Sequence, residues 1–241
     1  MPMMVSNPFS TRYTRPGSIA PLDALGRSVD VGAMLDRLHG LGGTAAIVGP
    51  HGSGKSTLLT HLAAALERHG RRAPRVRLHS WTDAAMVWMA IRQAGPDDTI
   101  CIDSWECTGW LVGGLLRMVA RATGRRLLVT SHRAVGFPEL ARCTTSPVLL
   151  HSIVESLPNH GDWFGSLIRE ADIGEAFATH GGNLRESLYE LYDRFEAAAS
   201  PIQSLGGDGP VDRTGHAGAR SEIHESADGF SYRGAPERNL G

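Results

Sequence analysis

The sequence predicts an α/β protein in three layers, with a five-stranded parallel sheet between helices and a small helical appendage on its C-terminal side. Five short runs rich in Val, Ile and Leu recur at a steady interval, at 44–48, 75–79, 99–103, 126–131 and 148–152. Segments with helical spacing lie between them. The runs show little polar alternation, which is the pattern of strands covered on both faces. Ligands of such sheets bind outside the carboxyl ends of the strands.

Taken in order, residues 1–24 are polar and proline-punctuated without a helical or strand period, and read as an extended arm. The core follows over 25–152. Its clearest helices carry Leu58, Leu59, Leu62, Ala65 and Leu66, closed by Gly70, and Leu111, Leu115, Leu116, Val119 and Ala120, closed by Gly124. Strand character stops after 152, and 153–199 reads as a helical lid with helices at 163–170, 173–179 and 184–198. The last places Leu184, Leu188, Leu191, Tyr192 and Phe195 on one face, and Asn183 followed by Glu186 has the spacing of a capping box. From Ser200 to Gly241 the composition turns to Gly, Ser, Asp, Arg and His, and the expectation is a disordered tail.

With 241 residues the chain holds one sizeable core and a small appendage. Hydrophobic residues make up 41% and charged residues 20%, enough apolar material for a packed interior. A net charge of −1 gives no global attraction to nucleic acid or membrane. Cys101, Cys107 and Cys143 are spaced for neither a disulfide framework nor a zinc site, and they read as buried thiols of a reducing compartment. No secretory segment and no apolar run of about 18 residues appears, so the expectation is a cytoplasmic protein that does not span a membrane.

The segment Gly49-Pro50-His51-Gly52-Ser53-Gly54-Lys55-Ser56 fits G-x-x-x-x-G-K-S without a mismatch, after an apolar run and before an amphipathic helix. Its glycines let the backbone wrap around phosphate oxygens with N–H groups inward, and the helix beginning near Lys55 adds its positive end. Lys55 is expected to reach the β and γ phosphates of ATP, and the Ser56 hydroxyl to ligate Mg²⁺. Thr57 is expected near the α phosphate. Lys55 is the only lysine in the chain, against 23 arginines. A compact ammonium fits between two phosphates inside a tight loop, where a planar guanidinium does not. The run 99–103 ends in Asp103, the acid expected to hold Mg²⁺ through its waters.

These residues resemble the P-loop ATPases that carry an additional strand between the P-loop strand and the Walker B strand, the branch of the AAA+ and STAND families. The resemblance covers residues 7 to about 198 and implies the sheet order 5-1-4-3-2. It also implies a polar sensor after the fourth strand, here Thr130 or Ser131, with Ser131 chosen as the site residue. Gly181-Gly182-Asn183-Leu184-Arg185-Glu186 is similar to the lid's Gly-Asn-x-Arg motif, which makes Arg185 the expected γ-phosphate contact. Asn7-Pro8-Phe9 resembles segments preceding P-loops in origin-recognition-like and secretion-type members, where arm and lid embrace adenine. Arg133 and Arg142, expected between the fourth and fifth strands, are available as trans-acting arginines if the protein forms rings.

One departure bears on catalysis. Ser104 stands where the family's glutamate follows the Walker B aspartate, and Glu106 is the acid expected to orient the attacking water from the next loop. An LSGGQ signature and an NKxD motif are both missing, which sets aside ABC cassettes and GTPases. Eleven histidines show no metal-ligand pair, and His51, His132 and His180 read as polar punctuation. Trp105 and Trp110, flanking Glu106, read as packing residues. The expected function is a Mg-dependent ATPase coupling nucleotide state to lid movement or to a protein partner engaged through lid or tail. A non-hydrolysing ATP switch and a small-molecule phosphotransferase are the alternatives.

Overall fold

In the computed structural model, which describes residues 6–205, five strands form one parallel sheet in the order β2-β3-β4-β1-β5. Read from its other edge this is 5-1-4-3-2. The strands are β1 (Ala45–Val48), β2 (Arg75–Arg77), β3 (Thr99–Asp103), β4 (Arg126–Ser131) and β5 (Glu139–Arg142). Alternate residues serve opposite layers, as the period of two requires. Ala45, Ile47, Cys101 and Leu128 pack with Leu58, Leu62 and Leu66 of α3 (Lys55–Arg68) and Leu38 of α2 (Val31–Gly40). Ala46, Val48, Ile100, Ile102, Leu127 and Val129 pack with Val87 and Ile91 of α4 (Ala84–Gln93) and with Leu116 and Ala120 of α5 (Trp110–Ala122). Val48 lies beside Ser131 and Ile102 beside Val129, so the carboxyl ends of the three central strands stand level.

The fifth strand is not where the apolar run predicted it. Residues 148–152 belong to α6 (Pro147–Glu155), while β5 pairs with β1 through Glu139, Ala141 and Arg142. Ser146 caps α6, its hydroxyl accepting from the Leu149 N–H at 3.0 Å, and Pro147 occupies the first turn, where a missing N–H costs nothing. The true strand lies at a sheet edge and buries only Leu140 fully, so it lacks the continuous apolar run of a central strand.

Because α6 is a helix, the expected core boundary at 152 falls inside it, and its apolar face joins the C-terminal helices. These are α7 (His160–Trp163), α8 (Glu170–Thr179) and α9 (Leu184–Leu205). The helix expected at 163–170 is instead the end of α7 followed by a turn with a bridge between Phe164 and Ile168. Gly165 supplies the positive φ (83°) that this turn needs. Helix α9 continues to Leu205, past the expected start of the tail at Ser200; the rest of that expectation, 206–241, lies outside the described residues.

The N-terminal arm is also more than an extended segment, since it makes a helical turn, α1 (Thr11–Thr14), and seals the helical core. Phe9 is 1% exposed and meets the rings of Trp163 at 5.2 Å and Phe195 at 6.2 Å. Asn7 fixes it there. The Asn7 carboxamide donates to Tyr192 O at 3.1 Å and Glu196 Oε1 at 2.8 Å and accepts from the Phe9 N–H at 2.9 Å. Sequence-distant segments are thus joined through one aromatic plug. Among the described residues no helix is long and apolar enough to cross a membrane.

Phe9→Ala removes a fully buried ring from this cluster and is expected to cost about 3 to 5 kcal/mol. Urea unfolding followed by tryptophan fluorescence measures it.

Candidate functional site

The loop between β1 and α3 turns on Gly52 (φ 69°) and Gly54 (φ 85°), conformations that a side chain would strain. At Gly49 a Cβ would collide with the Cys143 carbonyl, so that glycine lets the loop pass against the end of β5. Among the described residues, no backbone N–H from His51 to Thr57 finds a protein acceptor. Leu58 N, donating to Gly54 O at 3.0 Å, is the first to do so. A run of unpaired amides at a helix N-terminus is an anion site by construction.

Lys55 is 8% exposed, and its ammonium has three near partners: Gly49 O at 2.8 Å, Pro50 O at 2.5 Å and His132 Nδ1 at 3.3 Å. Burial lowers its pKa, the charges of Glu106 and Asp103 oppose that shift, and Arg185 adds to it. Ser56 donates to both oxygens of Asp103, at 3.0 and 2.9 Å. This joins the first turn of α3 to the end of β3, the two positions expected to share Mg²⁺. A hydroxyl and a carboxylate are hard oxygen donors and fit such an ion.

Thr130, not Ser131, completes this cluster. Its hydroxyl donates to Asp103 Oδ1 at 2.6 Å and accepts from the Ser104 N–H at 2.9 Å. Strand alternation decides between the two: Thr130 shares the face of Leu128 toward α3, whereas Ser131 shares that of Val129 toward α5. Ser131 is buried, and its hydroxyl accepts from the Arg133 N–H at 3.3 Å. Arg77 of β2, which the sequence reading did not single out, stands 3.8 Å from Asp103.

Ser104 takes a left-handed conformation (φ 66°, ψ 50°), costly for a residue with a side chain, and starts a 3₁₀ turn at Trp105–Thr108. This turn carries Glu106 to His132, whose Nε2 lies 2.7 Å from Glu106 Oε1. The other oxygen, Oε2, is buried without a partner. Glu106 therefore does not line the cavity described below, contrary to its expected place beside the attacking water. His132 does line it, its ring tilted 36° against that of His51 with centroids 3.5 Å apart. Burial and the neighbouring Lys55 lower the His132 pKa against the pull of Glu106. His180 pairs with Glu190 at 2.8 Å in the helical region. Trp105 packs on Phe137 at 5.2 Å, but Trp110 is 85% exposed and packs nothing.

A cavity of about 490 Å³ runs from the loop to the arm and α9, a volume within the usual range for small-molecule ligands. Its walls include the loop from His51 to Thr57, arm residues between Thr11 and Ala24, and Arg185, Leu188 and Tyr189 of α9. Asn183 caps α9, accepting from Arg185 N at 3.2 Å and Glu186 N at 3.4 Å. Its carboxamide also lies against Gly52, where a Cβ would strike it. The capped start of α9 thus touches the loop directly. Arg142 borders the cavity from β5 and is bonded to Glu139 at 3.1 Å, while Arg133 is exposed. All three cysteines are free, with burial raising Cys101 to about 12 and Cys143 to about 11.

The strand order is that of the additional-strand ATPases. No protein-family model matches the sequence, and no curated protein does. Among solved structures the chain is similar to replication initiator DnaA bound to AMPPCP and single-stranded DNA, with TM-score 0.46, 12% identity and coverage of 73% of this chain and 63% of that one. AMPPCP-bound DnaA from Aquifex aeolicus gives 0.43, 12%, 73% and 61%, and C. elegans PCH-2 gives 0.39, 14%, 66% and 62%. The chain spans less than two thirds of the length of each of these proteins. The strand order, not these overlaps, defines the fold.

Two outcomes follow from this geometry. Gly52→Ala forces a left-handed alanine and displaces the Asn183 cap, and is expected to cost about 2 to 3 kcal/mol in thermal unfolding. Because the folded pKa of His132 is depressed, its contribution to stability is present above pH 6.5, the ordinary histidine value, and fades as pH falls below it. His132→Gln should flatten that part of the stability profile between pH 7.5 and 5.5.

Proposed function

We propose that this chain binds ATP with Mg²⁺ on the loop from Gly49 to Thr57 and hydrolyses it, in the manner of an AAA+-like ATPase. The observation that carries the reading is the unpaired run of amides from His51 to Thr57 beside a buried lysine, at one end of a cavity bounded by the arm and α9. Amides that turn inward at a helix start without protein acceptors are a ready anion site, and a polyanion can accept from several of them at once.

In this reading the amides and Lys55 take the β and γ phosphates, Lys55 leaving its carbonyl partners for charge-assisted bonds to phosphate oxygens. Ser56 and Asp103 would hold Mg²⁺, which when bound neutralises charge developing on the phosphates. Thr130 keeps the Asp103 carboxylate oriented, and Arg77 is close enough to hold its outer oxygen. Leu188, Tyr189 and the arm supply apolar walls for the base. Arg185, in the first turn of α9 and on the cavity wall, contacts the γ phosphate. The close contact of Gly52 with Asn183, which caps the start of α9, then couples phosphate occupancy to the helical region.

The ATP switch without turnover is the second reading, favoured by one feature: Ser104 occupies the position of the expected glutamate, and no acid replaces it on the cavity wall beside Asp103. Assembly into rings is part of the first reading, with Arg133 as the trans-acting candidate, since Arg142 is already bonded to Glu139 within the chain.

Lys55→Ala should abolish ATP binding or weaken it by several kcal/mol, because it deletes the one ammonium in the cradle. Titration with a fluorescent ATP analogue measures this; unchanged affinity would exclude the loop as the nucleotide site. Phosphate release at rising protein concentration, with sizing in parallel, separates ATPase from switch.

A further inference from the structure

We propose that His132 is the general base of hydrolysis and that Glu106 acts through it as a positioning residue. This rests on the ATPase reading above and answers the absence of an acid after Asp103. Glu106 does not border the cavity, whereas His132 does, between Lys55 on one side and Glu106 on the other.

The donors define the tautomer. A lysine ammonium has hydrogens and no lone pair, so the nitrogen facing Lys55 at 3.3 Å, Nδ1, is the one bearing a lone pair. The proton then resides on Nε2 and is donated to Glu106 Oε1 at 2.7 Å. A carboxylate behind an imidazole, holding its tautomer and orientation and stabilising the imidazolium once formed, is the arrangement that makes a histidine an effective base. Glu106 is itself held, since it sits on the 3₁₀ turn launched by the left-handed Ser104. The unusual residue after Asp103 is therefore what directs Glu106 to His132.

Lys55 occupies Nδ1 in this state and blocks the base. Phosphate oxygens compete for the same ammonium with full charge, so engagement of Lys55 with the triphosphate frees Nδ1 toward the γ phosphate. In the step itself, a water oxygen bonds to the γ phosphorus and the bond to the β–γ bridging oxygen breaks. The water proton passes to Nδ1, and ADP departs with the bridging oxygen and its electron pair. The base is exposed only when substrate is present.

The test compares wild type, His132→Ala, His132→Gln, Glu106→Gln and the double variant His132→Ala/Glu106→Gln, reading ATP affinity and turnover separately. Loss of about 10²-fold or more in kcat is expected for both His132 variants, with ATP affinity within about threefold of wild type and a smaller kcat loss for Glu106→Gln. The double variant should be no slower than His132→Ala alone, because Glu106 acts through the ring it has lost. Added imidazole should restore part of the turnover of His132→Ala and none in Glu106→Gln, a response that a purely structural role does not produce. Full turnover in the His132 variants, equal loss of affinity and rate, or additive losses in the double variant would overturn the proposal. Wild-type binding without turnover would overturn it while leaving nucleotide binding standing; absence of ATP binding would remove both.

Discussion

Backbone amides with no protein group to accept them are the constraint around which the rest of this molecule is arranged. From His51 to Thr57 the chain turns its N–H groups away from every protein acceptor among the described residues, and a buried lysine stands among them on borrowed carbonyls. Such a loop gains no backbone hydrogen bonds from its own N–H groups over this stretch. It persists because both sides are anchored: β1 lies between β4 and β5 in the sheet, and α3 packs Leu58, Leu62 and Leu66 onto it. The open amides and the crowded sheet beneath them are one arrangement, in which packing holds the donors in place.

The second arrangement is the helical region built on Phe9, Trp163 and Phe195. Among the described residues it meets the loop by close packing contacts rather than by hydrogen bonds. Asn183 is the clearest, capping α9 while lying against Gly52. A cap that also packs against the loop transmits a change in either, because a shift of the loop pushes on the side chain that caps α9. Arg185 and Tyr189 follow in the next turns along the cavity, so any tilt of α9 alters that wall.

Much of this was legible in sequence for identifiable reasons. The turn between β1 and α3 was readable because glycines at 52 and 54 take positive φ there and Lys55 opens the helix that follows. The central strands were readable because burial on both faces forces continuous apolar runs. The fifth strand was misread for the converse reason: an edge strand with one fully buried residue carries no such run, while 148–152 does and is a helix. Ser146-Pro147, a cap followed by a first-turn proline, was the local signal that would have corrected it. Thr130 could have been preferred over Ser131 by counting faces from Asp103 across the sheet. His132 had no local signal, since its partners are 77 and 26 residues away in sequence and meet only at the ends of the strands.

Local sequence therefore determined the glycine-rich turn before α3, the central strands and the capped start of α9, because each depends on residues close together along the chain. Only the tertiary structure decided which polar groups converge. Ser56 on Asp103, Thr130 beside them, His132 between Lys55 and Glu106, and Phe9 among the C-terminal helices are all products of parallel strands that end level and helices that fold back over them. The physical reason is range: caps, turns and periodicity act over a few residues, whereas a site at strand ends is assembled by packing across the whole sheet.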